Sequence, residues 1–577
     1  MKNKLKKSGQ QIAKKLTRFS IKASAEGKEH VKENLIERIP HAKNVRLLIL
    51  EWSLLVAVLI MLAVTQSIWY SGSYSANAFV SGGTYTEATL GKVTSLNPLF
   101  ATTSSEKTLS KLLFATLSAT DYSGHTGPSL AKSITSDETG KTWTVVLRDD
   151  LKWSDGEPIT SEDVVFTAAL IKNAKVTTSF APNLAGVSVT GAGDSTILFS
   201  LPSTYVNFTS ALDIPILPKH ILEGVDPSLL LEHSFSSSPV TSGAFKYKAT
   251  QVVPATGESV FYLAPNEYYY KGTPMLNSFA VHTYTDTDAI ISAIKSGTVT
   301  ATAELPTTDA DKVTSSKIYE RTTTISDGVY MFLNTTRGIF RNKNLRKAVQ
   351  KGVDMDALRE LIGDEPNLDY PIAYSQIELN SWPDLPTYDQ EAAAATVAAE
   401  VPADSVLELV TVSSGYFETL ANKLVEELES LGFTVNLSVY EPNQEFIVNV
   451  ISGRNYDILL YEIELGPDPD LFAYYHSSQA TSSGLNLSNY NNTLVDDSIL
   501  AARGTMNPRL RVSKYETFLR QWVEDAPAIG IYQTNMSYFY NRNVRTFSLD
   551  NSLIYATDRF SDIEHWAAEK ASRNRTP

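Results

Sequence analysis

Leu47 to Tyr70 is an almost unbroken apolar run that includes LLVAVLIMLAV. At about 1.5 Å per residue it is long enough to cross a bilayer. Trp52, Trp69 and Tyr70 stand near its ends, where amphipathic rings prefer the headgroup level. Further along, the period of the pattern changes. Lys141 to Arg148, KTWTVVLR, is rich in β-branched and aromatic residues and reads as a strand. Phe417, Leu420, Ala421, Leu424, Val425, Leu428 and Leu431 recur at helical spacing, and Phe433, Val435, Leu437 and Val439 then alternate as a strand does. With LELVTV at 407–412 ahead of the helix, this predicts a β-α-β unit whose outer strands are parallel neighbours. The elements together predict a mixed α/β protein.

Leu151 to Thr167, LKWSDGEPITSEDVVFT, joins a strand end, a tight turn and a helix start. Asp155-Gly156 is a turn dipeptide, Thr160 is a good N-cap with Asp163 three residues on, and Glu162 and Asp163 place negative charge where the helix dipole favours it. Trp153 reads as a core aromatic under the turn. None of these residues is a nucleophile, a metal cluster or a phosphate cradle.

Charge divides the chain into two objects. Residues 1–46 hold 13 Lys or Arg against 4 Glu, whereas the part after Glu51 has a net charge of about minus 22. The basic tail predicts a cytoplasmic N-terminus and an acidic bulk on the other side of the membrane. The tail itself reads either as an amphipathic helix on the membrane face, through Leu5, Ile12, Leu16 and Phe19, or as a solvated topology signal. A cleaved signal peptide is the alternative to an anchor. Ala76-Asn77-Ala78 offers a cleavage-like site, but it lies well beyond the apolar run, and 46 residues is long for a signal's n-region. The chain has no cysteine, which removes disulfides, thiolate metal sites and cysteine nucleophiles. An exterior part this acidic argues against nucleic acid. At 577 residues more than one lobe is expected, after a small polar linker at 71–83.

LKWSDGEPITSEDVVFT closely resembles the signature of the extracellular solute-binding proteins of family 5, the oligopeptide and dipeptide ABC-importer family. Seven further segments resemble that family in its own order: Leu96-Asn97-Pro98, the run from Gly127 to Ala131, Ile216 to His220 (ILPKH), Pro239 to Tyr247 (PVTSGAFKY), Asn266 to Pro274 (NEYYYKGTP), Phe332 to Val353, and Gly466 to Phe472 (GPDPDLF). The resemblance implies a two-lobed clamshell like that of periplasmic binding proteins. Lobe one is expected at 84–305 and 532–577, with an extra subdomain at about 108–236, and lobe two at 306–531. One transmembrane helix at 47–70 precedes them and would replace the lipid-bearing cysteine of many members. It further implies a monomer that captures a peptide between the lobes and delivers it to permease subunits with cytoplasmic ATPases. No cofactor or metal is implied.

Ligand-binding candidates on this resemblance are Asn97, Glu464, Gly466, Asp468, Asp470 and Tyr474. In the family an acidic residue just before the DPD loop anchors the ligand's α-amino group. Here Leu465 aligns with it, with Glu464 beside it and Glu462 two residues further back. Glu464 is therefore a substitute anchor or a solvated strand-end acid. Asp468 with Asp470, and Asp286 with Asp288, read as loop caps in preference to a calcium site, for want of a third ligand. The tyrosines, among them Tyr268-Tyr269-Tyr270, suit either a cleft or half-buried strands. The same fold also serves nickel, oligosaccharides and signalling. As to hydrolases, no G-x-S-x-G, H-E-x-x-H or P-loop pattern occurs, while a pair of glycosidase carboxylates stays open.

Overall fold

The computed structural model describes residues 46–121, 126–253, 257–313, 315, 317–546 and 553–574. The expected basic tail lies outside the described residues except for Arg46.

The apolar run is one helix, Arg46–Tyr74. Leu50–Ser67 has a mean hydropathy of 1.7, and by length and composition the helix can cross a membrane. Leu54, Leu59 and Met61 stand exposed around it, as on a helix that is apolar on every face. The Thr65 hydroxyl donates to Met61 O at 2.8 Å, so it needs no partner outside the helix. Ser75–Val80, within the expected linker, is extended.

Phe79–Lys570 forms a compact unit of its own, built on a ten-stranded mixed sheet. From one edge the order is Thr434–Tyr440, Val406–Val412, Ile458–Glu464, Ile318–Leu333, Ala528–Asn541, Ala301–Thr302, Thr84–Leu90, Ser278–Tyr284, Ser259–Pro265 and Phe245–Val252. The β-α-β unit is present: Val406–Val412 and Thr434–Tyr440 run parallel with Leu407 opposite Val435, joined by the helix Phe417–Ser430. That helix buries Leu420, Ala421, Leu424 and Leu428, the positions of its apolar stripe.

Two large hydrophobic cores, with a smaller cluster around Ile290 and Phe539 flanking the first, divide this unit into two lobes. Tyr85, Trp153, Phe245 and Trp566 belong to one, and Tyr330, Leu409, Leu420 and Trp522 to the other. The strands Ile318–Leu333 and Ala528–Asn541 serve both. Ile325 packs in the first core and Val329 to Leu333 in the second; Ile529 to Tyr532 pack in the second and Met536 to Tyr540 line the first or its flank. The chain therefore crosses between lobes at 326–328 and 533–535. Pairing of the two strands loses its register between Thr324 and Gly328, so the ladder is broken where the lobes join.

A second, four-stranded antiparallel sheet, ordered Ala131–Ser136, Thr142–Leu147, Thr196–Ser200 and Ser188–Gly191, enlarges lobe one, and its buried residues are continuous with that lobe's core. It carries the segment 151–167. Gly156 turns the chain at φ +97°, Trp153 is fully buried beneath, and Thr160 N donates to Asp163 Oδ2 at 2.9 Å in a capping box opening the helix Ser161–Ile171. ILPKH locks onto the same turn: Lys219 N donates to Asp163 Oδ1 at 2.8 Å, and His220 Nε2 lies 2.9 Å from Asp155 Oδ2.

Candidate ligand-binding site

The wall on lobe one starts from the helix Ser104–Leu113, opened by a capping box between Thr103 and Glu106. Leu109, Leu112 and Leu113 are buried in the core, which leaves Lys107, Ser110 and Lys111 together on the opposite face, at i, i+3 and i+4. From lobe two, the strand Ile458–Glu464 ends at the same place. The chain then turns at Gly466 (φ +71°) into the 467–471 loop and the short helix Phe472–Tyr475. Gln376 pins the turn by donating from Nε2 to Leu465 O at 3.0 Å and to Gly466 O at 2.9 Å. A Cβ on Gly466 would meet the Tyr555 hydroxyl at 3.3 Å, so lobe one's returning segment closes tightly over this loop.

These walls enclose a cavity of about 300 Å³, lined from lobe one by Lys107, Lys111, Tyr205, Asp213 and Tyr555 and from lobe two by Glu464, Gly466, Ala473 and Tyr474. Of the six candidates read from sequence, Glu464, Gly466, Asp468, Asp470 and Tyr474 line this cavity, and Asn97 does not. Asn97 is fully buried, where its Oδ1 accepts from Leu99 N at 3.2 Å and caps the turn Pro98–Phe100; its neighbour Pro98 reaches the wall instead. Asp468 and Asp470 are held by cations, Asp468 by Arg511 Nη2 at 2.5 Å and Asp470 by Arg503 Nε at 3.1 Å, with the Arg503 guanidinium 3.7 Å over the Tyr205 ring. They brace the loop. Asp286 caps the helix Thr287–Ser296 by accepting from Ala289 N at 2.8 Å. Among the described residues no group of three or more His, Cys, Asp or Glu could hold a metal ion. Tyr268, Tyr269 and Tyr270 lie away from this cavity, beside Lys132 and Arg148.

Across the cleft, Lys107 Nζ meets Glu464 Oε1 at 2.5 Å, both side chains half-exposed. Lys107 holds the Glu464 carboxyl below its ordinary range, and Glu464 raises the Lys107 ammonium. Tyr474 completes the corner by donating its hydroxyl to Glu464 O at 2.7 Å. Lys111 Nζ sits 3.0 Å from Asp558 Oδ1, whose carboxyl is pushed up to about 6 by burial and by Asp213. Beneath Glu464, burial and the repulsion of neighbouring acids, Glu462 and Glu464 for Asp327 and Glu464 for Glu462, push both carboxyls upward, and Thr534 donates its hydroxyl to Glu462.

Lys107, Lys111, Asp213 and Tyr555 carry no sequence pattern beyond the lysines' helical spacing. They meet loop residues hundreds of positions away only because the lobes face each other.

The family model of the bacterial extracellular solute-binding proteins, family 5 (middle region), matches residues 125–484, more than half of the chain. The chain belongs to this family. The family is one of solute-binding proteins, not of enzymes. The oligopeptide-binding protein AppA of Bacillus subtilis is 27% identical over 521 residues, covering 84% of this chain and 93% of AppA. The structure of that AppA with a nonapeptide superposes with a TM-score of 0.75 at 24% identity, covering 85% of this chain and 99% of the other. NikZ of Campylobacter jejuni, solved with Ni(L-His), superposes with a TM-score of 0.71 at 20% identity, covering 84% and 99%. Two-lobed binding proteins thus share the fold over most of this chain.

Proposed function

We propose that this chain is the membrane-anchored, extracytoplasmic substrate-binding component of an ABC importer. In this reading it captures peptides between its lobes, as a monomer, and hands them to permease subunits driven by cytoplasmic ATPases. The observation that carries the reading is the cavity of about 300 Å³ walled by both lobes, which are joined by two strands whose pairing is broken at the crossing. A cleft on two crossings can close around a solute and reopen at a permease. Peptide is favoured by the family and by the name of its relative AppA. The walls also suit it: Ser110, Asn183 and Ser210 offer hydrogen bonds to a ligand main chain, and Tyr205, Tyr474 and Tyr555 offer aromatic faces with polar tips. The helix Arg46–Tyr74 serves as the tether, with the 13 basic residues before the apolar run on the cytoplasmic side.

Native mass spectrometry of the full chain, purified in mild detergent without added ligand, tests the ligand class. Release of peptides at about one per chain is the expected result. Release of a metal ion or an oligosaccharide in their place would overturn the peptide reading.

A further inference from the structure

The charges on the cavity wall do not cancel, and the residue left over is Asp213. Each cation that lines the cavity already holds a carboxylate: Lys107 holds Glu464 at 2.5 Å, Lys111 holds Asp558 at 3.0 Å and Arg503 holds Asp470 at 3.1 Å. Asp468, the remaining acid of the loop, is held by Arg511. Asp213 lines the same cavity, and among the described residues nothing donates a hydrogen bond or an ion pair to its carboxylate. Lys111 feels it electrostatically, but that ammonium is committed to Asp558. The Tyr555 ring, which also lines the cavity, lies within electrostatic reach of Asp213, Glu464 and Asp558 together, so the three acids converge on one part of the wall.

Asp213 is also firmly placed. Its flanking residues Leu212 and Ile214 are buried, Ser118 N donates to Leu212 O at 3.2 Å, and Pro215 bridges to Thr116. Before it, the short helix Phe208–Ala211 is wedged in the core by the Phe208 ring, 5.5 Å from Phe199 and 5.7 Å from Trp143. A carboxylate held on a rigid edge is pre-organised for a partner the protein itself does not supply. The Lys107–Glu464 pair is different. It is one ammonium and one carboxylate, and exchanging partners with the two ends of a zwitterion leaves the balance unchanged.

We propose that Asp213 receives a cationic side chain of the ligand, and that this cleft therefore selects basic peptides over neutral and acidic ones. The proposal rests on the peptide reading above and narrows it. Specificity here comes from a surplus carboxylate that stays unpaired with any other ligand and repels an acidic one.

The test is calorimetric titration of the full chain in detergent with three pools of free-ended alanine pentapeptides, carrying one Lys, one Gln or one Glu at each position in turn. Spermidine and citrate are titrated separately. The Lys pool is expected to bind about tenfold or more tighter than the Glu pool, with the Gln pool between. Asp213→Asn should shrink that ratio to about twofold or less, and Asp213→Glu should keep it. Equal binding of the three pools, or a Lys-to-Glu ratio unchanged in Asp213→Asn, overturns the proposal while leaving the peptide reading in place. If no pool binds but spermidine does and citrate does not, the peptide reading falls and the cationic preference stands. If neither peptides nor spermidine bind, both fall.

Discussion

Glu365 shows how a single side chain ties stability to pH. It is almost fully buried, and its Oε2 accepts the backbone N–H of Asn535 at 2.5 Å, where Ala528–Asn541 crosses from one lobe to the other. Burial, with Glu462 and Asp364 nearby, pushes its carboxyl from 4.5 up to about 7. The folded state thus holds this proton more tightly than the unfolded state does. Its contribution to stability is full below about pH 4.5 and is lost as pH rises through about 7. Glu365→Gln keeps an acceptor and never ionises. It should be more stable than wild type by on the order of 2 kcal/mol at pH 8 and by nothing near pH 4.5. Denaturant titrations of the full chain followed by tryptophan fluorescence check this, and a gain equal at both pH values would contradict it. At this scale the sequence was informative where chemistry is local: the Thr160 cap, the turn at Gly156 and the cap at Asp286 all depend on neighbours within a few residues. Asp213 and Lys107 were not legible, because what makes them notable is a partner, or the lack of one, set by how the lobes meet. Asn97 lies off the cavity wall for a local reason, since its side-chain oxygen caps the turn that follows it.

Among the elements, the strands Ile318–Leu333 and Ala528–Asn541 are the ones that pack in both lobes, and the first was the harder to read. IYERTTTISDGVYMFL begins as a half-exposed strand and ends as a continuous apolar run buried on both faces, so no single period describes it. A lobe junction at 305/306 assigns the whole strand to lobe two, whereas Ile325 packs in the core of lobe one. By contrast the β-α-β unit at 406–440 lies within one lobe and keeps one period per element, and it was readable to within a few residues. Gly328 sits at the break in pairing. A Cβ there would lie 2.5 Å from Leu368 Cδ2 and 2.8 Å from the Tyr330 ring, with Leu465 Cδ1 at 3.2 Å. Gly328→Val should therefore destabilise the chain by about 1–3 kcal/mol through overpacking. Wild-type stability in the same denaturant titration would show that the crossing has more room than these contacts allow.

As a whole molecule, the chain joins an apolar helix able to cross a membrane to a two-lobed binding protein of family 5. Its orientation is open to a simple test because the chain has no cysteine of its own. Ser136 is exposed at a strand end on lobe one. In intact cells Ser136→Cys should react with a membrane-impermeant maleimide, and labelling only after permeabilisation would reverse the proposed topology. The proposed function puts a peptide in the cleft between the lobes. Ala473 lines that cavity on the short helix Phe472–Tyr475, so a large side chain there fills the cleft without entering either core. The most direct measurement is calorimetric titration of wild type and Ala473→Trp with the same peptide pools, alongside their melting temperatures. About one peptide is expected to bind per wild-type chain, with binding lost in Ala473→Trp at a melting temperature within about 2 °C of wild type. Peptide binding of undiminished affinity in Ala473→Trp would place the ligand elsewhere and contradict the proposed function.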